Sequence, residues 1–203
     1  MQATVAFPEK PHAGEEQRSA LLVILTVVVA LLLGLALRTA VEGRSTSYSN
    51  SGAGVSLNYP AAWIRANSGE STLLSASDPR SPTAFASTFS LRTRAVPQGQ
   101  TLNDVATGWR LSRSNALAEF SDLGARDTTF GGRRAIRLHY AYVAPAPGGA
   151  GMALLPVVVE AYDTIVVAGD RALIFTTASD ADHSDEYAAR FNTILSSVKM
   201  SGK

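Results

Sequence analysis

Apolar residues follow three rhythms along this chain. From Ala20 to Leu37 they run almost unbroken for eighteen residues, with Thr26 and Gly34 the only non-hydrophobic members and no ionisable side chain among them. As a helix this run is about 27 Å long, close to the hydrocarbon thickness of a bilayer. The second rhythm is alternation. Val55, Leu57 and Tyr59 alternate with Ser56 and Asn58 before Pro60, as in a half-buried strand. Further strands are predicted at 71–77 and at 84–94, where Phe85, Phe89 and Leu91 share one parity, with Asp78, Pro79 and Pro82 between them.

The third rhythm has the period of a helix. Thr101 can cap a helix running to Phe120, with Asp104 in its first turn and Leu102, Val105, Ala106, Trp109, Leu117 and Phe120 on one side. Gly131-Gly132 reads as a hairpin turn into a strand with Ile136, Leu138 and Tyr140 inward and Arg133, Arg137 and His139 outward. Strands at 154–167 and 172–177 are joined at Gly169-Asp170. The last helix, 182–198, carries Tyr187, Phe191, Ile194, Leu195 and Val198 at helical spacing. Strands arrive as hairpins and the two helices are far apart in sequence. The fold class is therefore α+β: an N-terminal transmembrane helix followed by one antiparallel sheet packed by helices.

This pattern divides the chain into a short cytoplasmic tail (1–19), an anchor (20–38), a Ser/Gly-rich linker (39–53) and an extracytoplasmic domain (54–200). The apolar run is longer than the core of a secretory signal, although Gly34 and Ala36 form a small-x-small pair within it, so it reads as a retained single-pass anchor. Lys10 and Arg18 precede it and Arg38 and Arg44 follow it, which leaves the positive-inside rule nearly balanced. Proximity to the N-terminus favours the tail inside a bacterial cell membrane and the domain outside. Thr26, Ala30 and Gly34 recur every fourth residue and form a candidate helix-contact face; the alternative is the ordinary abundance of small residues in membrane helices.

Charge and composition narrow the function classes. The chain has 18 Lys and Arg against 17 Asp and Glu, and from Ser45 onward fourteen against thirteen. Without a cationic excess there is no electrostatic case for a nucleic-acid partner. Cysteine is absent, which removes disulfides, thiolate metal sites, cysteine nucleophiles and a lipidated-cysteine anchor.

Gly54-Val55-Ser56-Leu57-Asn58-Tyr59-Pro60 followed by Trp63 resembles the strand-Tyr-Pro-x-x-Trp opening of the Mog1/PsbP-like family. The segment Phe191 to Lys199 is similar to that family's terminal helix, so the resemblance covers residues 54–199. It implies an antiparallel sheet sandwiched between helices. It also implies the role shared by the extrinsic PsbP proteins of photosystem II, a Ran-binding protein and many bacterial envelope lipoproteins: non-enzymatic attachment to a partner. No metal-binding residue of the photosynthetic members can be matched here.

Candidate chemistry is sparse. His12, His139 and His183 have no second His at ligand spacing, so no metal site or cofactor is expected. Asp180, Asp182, Asp185 and Glu186 surround His183, where acids complement a helix dipole. No Gly-x-Ser-x-Gly elbow occurs. Glu160, inside an apolar run, reads as the outward residue of an edge strand, and Trp63 and Trp109 as core aromatics. Two surface features suit binding. One is the Pro-Gly-Ala loop with Met152, Leu154 and Leu155 as docking candidates; the other is a basic strip if Arg92, Arg94, Arg133 and Arg137 lie on neighbouring strands. The expectation is a non-catalytic, membrane-anchored accessory subunit bound to other subunits of a larger membrane complex, photosynthetic or respiratory. The alternative is an envelope ligand-binding or sensory domain acting alone, and an enzyme is the weakest reading.

Overall fold

In the computed structural model the described residues are 13–66, 69, 71–145 and 155–201. They fall into two units, Met1–Arg44 and Ser45–Lys203. The first is a single helix, α1 (Ala13–Glu42), whose described side chains run from Leu21 to Leu37. It starts earlier and ends later than the 20–38 anchor read from the sequence. The flanking residues 13–19 and 39–42 include Ala, Glu, Gln and Arg, good helix formers that extend an apolar helix at both ends, and Gly43 follows its end. Apolar side chains cover its whole circumference: from Leu21 to Leu37 every Leu, Ile and Val is 45–71% exposed. On the described side chains alone, no helix is long and apolar enough to cross a membrane.

The second unit contains two antiparallel sheets, not the single sheet expected. The smaller joins β1 (Ser45–Asn50), β2 (Val55–Pro60) and β10 (Lys199–Met200) in the order β1-β2-β10. The larger takes β3 (Ile64–Arg65), β4 (Thr72–Ser77), β5 (Thr88–Ala95), β6 (Ser121–Phe130), β7 (Arg133–Ala144), β8 (Val157–Ala168) and β9 (Arg171–Asp180). Its strand order is β3-β4-β5-β9-β8-β7-β6. The expected 39–53 linker thus supplies the last turn of α1 and all of β1. A serine-rich composition hides this strand, which is held by Tyr48: its ring packs on the core and its hydroxyl donates to the Leu73 carbonyl at 2.8 Å. β10 spans two residues, too short to show any period.

Strand alternation builds two cores, one on each face of the large sheet. On one face, Phe89, Leu91, Leu173 and Phe175 meet β2 and the last helix, α3 (Ser184–Ser196), through Leu57, Tyr187, Phe191 and Ile194. Trp63 is buried there, edge-on to Phe191 at 6.0 Å. On the other face, Ile136, Leu138, Tyr140, Val159, Ala161 and Ile165 meet Val105 and Ala106 of α2 (Leu102–Ala116). The predicted cap is present: the Thr101 hydroxyl accepts from the Asp104 amide, and the Asp104 carboxylate accepts from the Thr101 amide. The helix stops at Ala116, short of the expected Phe120, because Leu117 is already extended; Leu117 and Phe120 still pack on the core. Gly131 and Gly132 both have positive φ, 55° and 76°, as a two-residue primed hairpin turn requires. The final helix is preceded by a short 3₁₀ turn, Ala181–His183, capped by the Asp180 side chain at the Asp182 amide.

Candidate functional site

Asp163 is the one acid placed at an inward position of β8. Val159, Ala161, Asp163 and Ile165 share the parity that faces α2, and Asp163 is fully buried among them. Four side chains supply it with donors. Trp109 Nε1 and the Tyr140 hydroxyl donate to Oδ2 at 2.6 and 3.1 Å, and Thr176 Oγ1 donates to Oδ1 at 2.5 Å. Arg113 binds both oxygens, through Nε at 3.0 Å and Nη2 at 3.2 Å. A buried carboxylate is tolerable only when its charge is paired and its lone pairs are filled, and here both conditions hold. α2 is thereby pinned to the sheet by its Trp and Arg, with the Arg113 guanidinium also over the Trp109 ring at 4.7 Å.

Beside this cluster α2 ends, and the sheet lies open over β4 and β5. The register places Ser75, Ser90 and Thr176 side by side, with Asp163 next in the same row. The resulting groove, about 180 Å³, is lined by Thr72, Ser75, Thr88, Ser90, Arg92 and Arg113, with Leu117, Tyr140, Tyr142 and Ala178 closing it. Among the described residues its walls hold two guanidiniums and several hydroxyls but no carboxylate. Arg92 Nε is buried with no hydrogen-bond partner among the described residues. Burial, and then repulsion from Arg113, hold the Arg92 pKa below its usual value. Burial also pulls Arg113 down, but the adjacent Asp163 and Tyr140 outweigh it and leave Arg113 raised. Burial and the neighbouring Asp163 charge push the Tyr140 hydroxyl well above its ordinary range.

A second polar cluster occupies the opposite face. The His139 ring stacks on Tyr162 at 4.3 Å, and Arg137 lies over the same tyrosine at 4.3 Å. Glu160 Oε1 pairs with His139 Nε2 at 2.6 Å and accepts from the Tyr162 hydroxyl at 2.7 Å. Burial alone would raise the Glu160 pKa, but hydrogen bonds from Ser184, Tyr162 and His139 outweigh it and leave it lowered. Burial and the bond to Glu160 push Tyr162 up to about 12. β8 is an interior strand, flanked by β7 and β9, so the edge-strand reading of Glu160 is corrected: its apolar neighbours mark a strand paired on both sides.

The expected basic strip does not form. β9 and β8 separate β5 from β7, and Arg92 faces α2 whereas Arg137 faces α3, so the four arginines cannot share one surface. Trp109, expected in the core, is partly buried: it packs against the α2-side core and its indole N–H is bound to Asp163. Of the docking candidates, Met152 and Leu154 lie outside the described residues, and Leu155 is 83% exposed. Thr26, Ala30 and Gly34 are all exposed on α1. The Thr26 hydroxyl donates to the Leu22 carbonyl at 2.8 Å, and a β-carbon at Gly34 would meet nothing within 4 Å. Among the described residues no three acidic or histidine side chains converge as a metal site. The acids near His183 sit instead at the Asp180 cap and in the first turn of α3.

No protein-family model and no curated protein matches this chain in sequence. Solved structures match it in shape. Cyanobacterial PsbP (CyanoP) from Synechocystis is 17% identical and aligns over 77% of this chain and 92% of its own, with a TM-score of 0.58. LpqN of Mycobacterium tuberculosis, described as involved in cell envelope biogenesis, is 14% identical over 78% of this chain and 91% of its own, with a TM-score of 0.54. The domain has the Mog1/PsbP-like fold. The Ran-binding protein Mog1p of Saccharomyces cerevisiae also matches, at 10% identity over 78% of this chain and 96% of its own, with a TM-score of 0.49. At these identities the likeness is one of fold alone.

Proposed function

We propose that this protein is a non-catalytic accessory subunit, held in a bacterial cell membrane by α1, whose Mog1/PsbP-like domain lies outside the cytoplasm and binds a larger membrane complex. The observation that carries this reading is the stretch Leu21–Leu37, apolar on every side and exposed throughout. A helix hydrophobic all round belongs in a protein core or in lipid, and this one is exposed. α1 runs for thirty residues, about 45 Å, against a hydrocarbon core of about 30 Å. Thr26, Ala30 and Gly34 offer the close-packing face by which such a helix meets another, since lipid supplies no hydrophobic drive for association.

The non-catalytic part rests on the polar clusters. In the Glu160 cluster a carboxylate is the common acceptor for Ser184, Tyr162 and His139. A nucleophile needs its base between hydroxyl and carboxylate, and here the carboxylate takes the middle place. Asp163 is sealed by its donors and reaches no solvent. A second reading, an envelope ligand-binding domain acting alone, is favoured by the arginine-lined groove beside α2. Purification in mild detergent separates the two. Stoichiometric co-migration with a large complex is expected, and a lone monomer supports the second reading instead. Protease added to intact cells is expected to digest the domain; full protection contradicts the orientation.

A further inference from the structure

We infer that the groove between the end of α2 and strands β4 and β5 binds a phosphate group, with Arg92 as its principal anchor. The groove's charge is unbalanced from within. Arg92 and Arg113 both line it, and Asp163, the carboxylate beside it among the described residues, already accepts bonds from Trp109, Arg113, Tyr140 and Thr176. Asp163 thus pairs directly with Arg113 and, among the described residues, not with Arg92. A guanidinium is a rigid fork of donors that stays charged at any physiological pH, and burying part of it without an acceptor is costly. The Arg92 Nε is in that position.

The rest of the lining indicates what kind of anion fits. Thr72, Ser75, Thr88 and Ser90 bring hydroxyls from two strands, Arg113 approaches from the helix, and Tyr142 from a third strand. Donors on several sides, two of them guanidiniums, suit a tetrahedral oxyanion that carries several acceptor oxygens and more than one negative charge. The volume, about 180 Å³, is below the range of pockets that enclose drug-sized molecules. The site therefore takes a phosphate group and leaves the remainder of its bearer outside. Inorganic phosphate, a soluble phosphate monoester and a lipid phosphate present the same chemistry. None of this rests on α1 being an anchor.

The test uses the full chain in nonionic detergent and calorimetric titration with inorganic phosphate, with chloride as the control anion. In parallel, micelles doped with phosphatidic acid are compared with micelles doped with phosphatidylcholine. Phosphate binding that weakens at least tenfold in Arg92→Gln supports the inference with a free anion as the source. Binding of phosphatidic acid only, lost in the same variant, supports it with a lipid source. No binding in either arm, or binding unchanged in Arg92→Gln, overturns it. Because the buried Arg92 Nε has no hydrogen-bond partner among the described residues, Arg92→Gln should melt no lower than the parent chain. Ser90→Asp, which places a carboxylate on the same strand face two residues away, provides a second variant and should abolish phosphate binding.

Discussion

Asp163 shows how much one residue can organise. Removing its carboxylate strands Arg113, the Trp109 indole N–H and the hydroxyls of Tyr140 and Thr176 in a buried site. Asp163→Ala should cost about 3–5 kcal/mol, as expected when one member of a buried charge pair is lost. Tyr140→Phe removes one donor and should cost about 1–2 kcal/mol; urea unfolding of both variants checks the ranking. Glu160 predicts a pH effect. Its folded pKa lies below the usual value, so its contribution is complete at neutral pH and is lost as pH falls through that folded value. Glu160→Gln should therefore narrow the stability gap between pH 7 and pH 3, measured by thermal melts across that range. The two residues differed in legibility. Asp163 breaks the inward parity of Val159, Ala161 and Ile165, a signal present in the sequence. Its partners Trp109 and Arg113 lie 54 and 50 residues away, so which groups would fill it could not be read from spacing.

At the scale of elements, capping and turn chemistry were the most legible features because they are local. Thr101 and Asp104 form the reciprocal cap their spacing implied, and Thr101→Ala should cost about 1 kcal/mol, visible as a small fall in melting temperature. Gly131 is held at positive φ, and a β-carbon there would collide with the Met200 methyl. Gly131→Ala should then destabilise by about 1–3 kcal/mol, and adding Met200→Ala should recover the steric part and leave the backbone part. Elements that depend on distant pairing were hidden. β1 is rich in serine and read as linker, yet it pairs along its whole length with β2. β6 shows little alternation because it is an edge strand with mostly exposed side chains. The arginines of β5 and β7 looked like one strip because strand order, which puts β9 and β8 between them, is a long-range property.

For the whole molecule, the domain supplies both cores from its own residues, one on each face of the large sheet. The described side chains of the helical segment, Leu21 to Leu37, present an apolar, exposed surface. That contrast is the physical basis for reading the protein as a folded binding domain on a tether. Within α1, Gly34→Leu should weaken association with the proposed partner complex while leaving the domain's melting temperature unchanged, because a β-carbon at Gly34 meets nothing within 4 Å among the described residues and the added bulk would obstruct close approach of a second helix. Insertion of α1 is measured directly by extraction of cell membranes at high pH, which strips peripheral proteins and leaves inserted helices in the bilayer. The full chain should stay with the membrane pellet and be released only by detergent. Recovery of the full chain in the alkaline supernatant would contradict insertion.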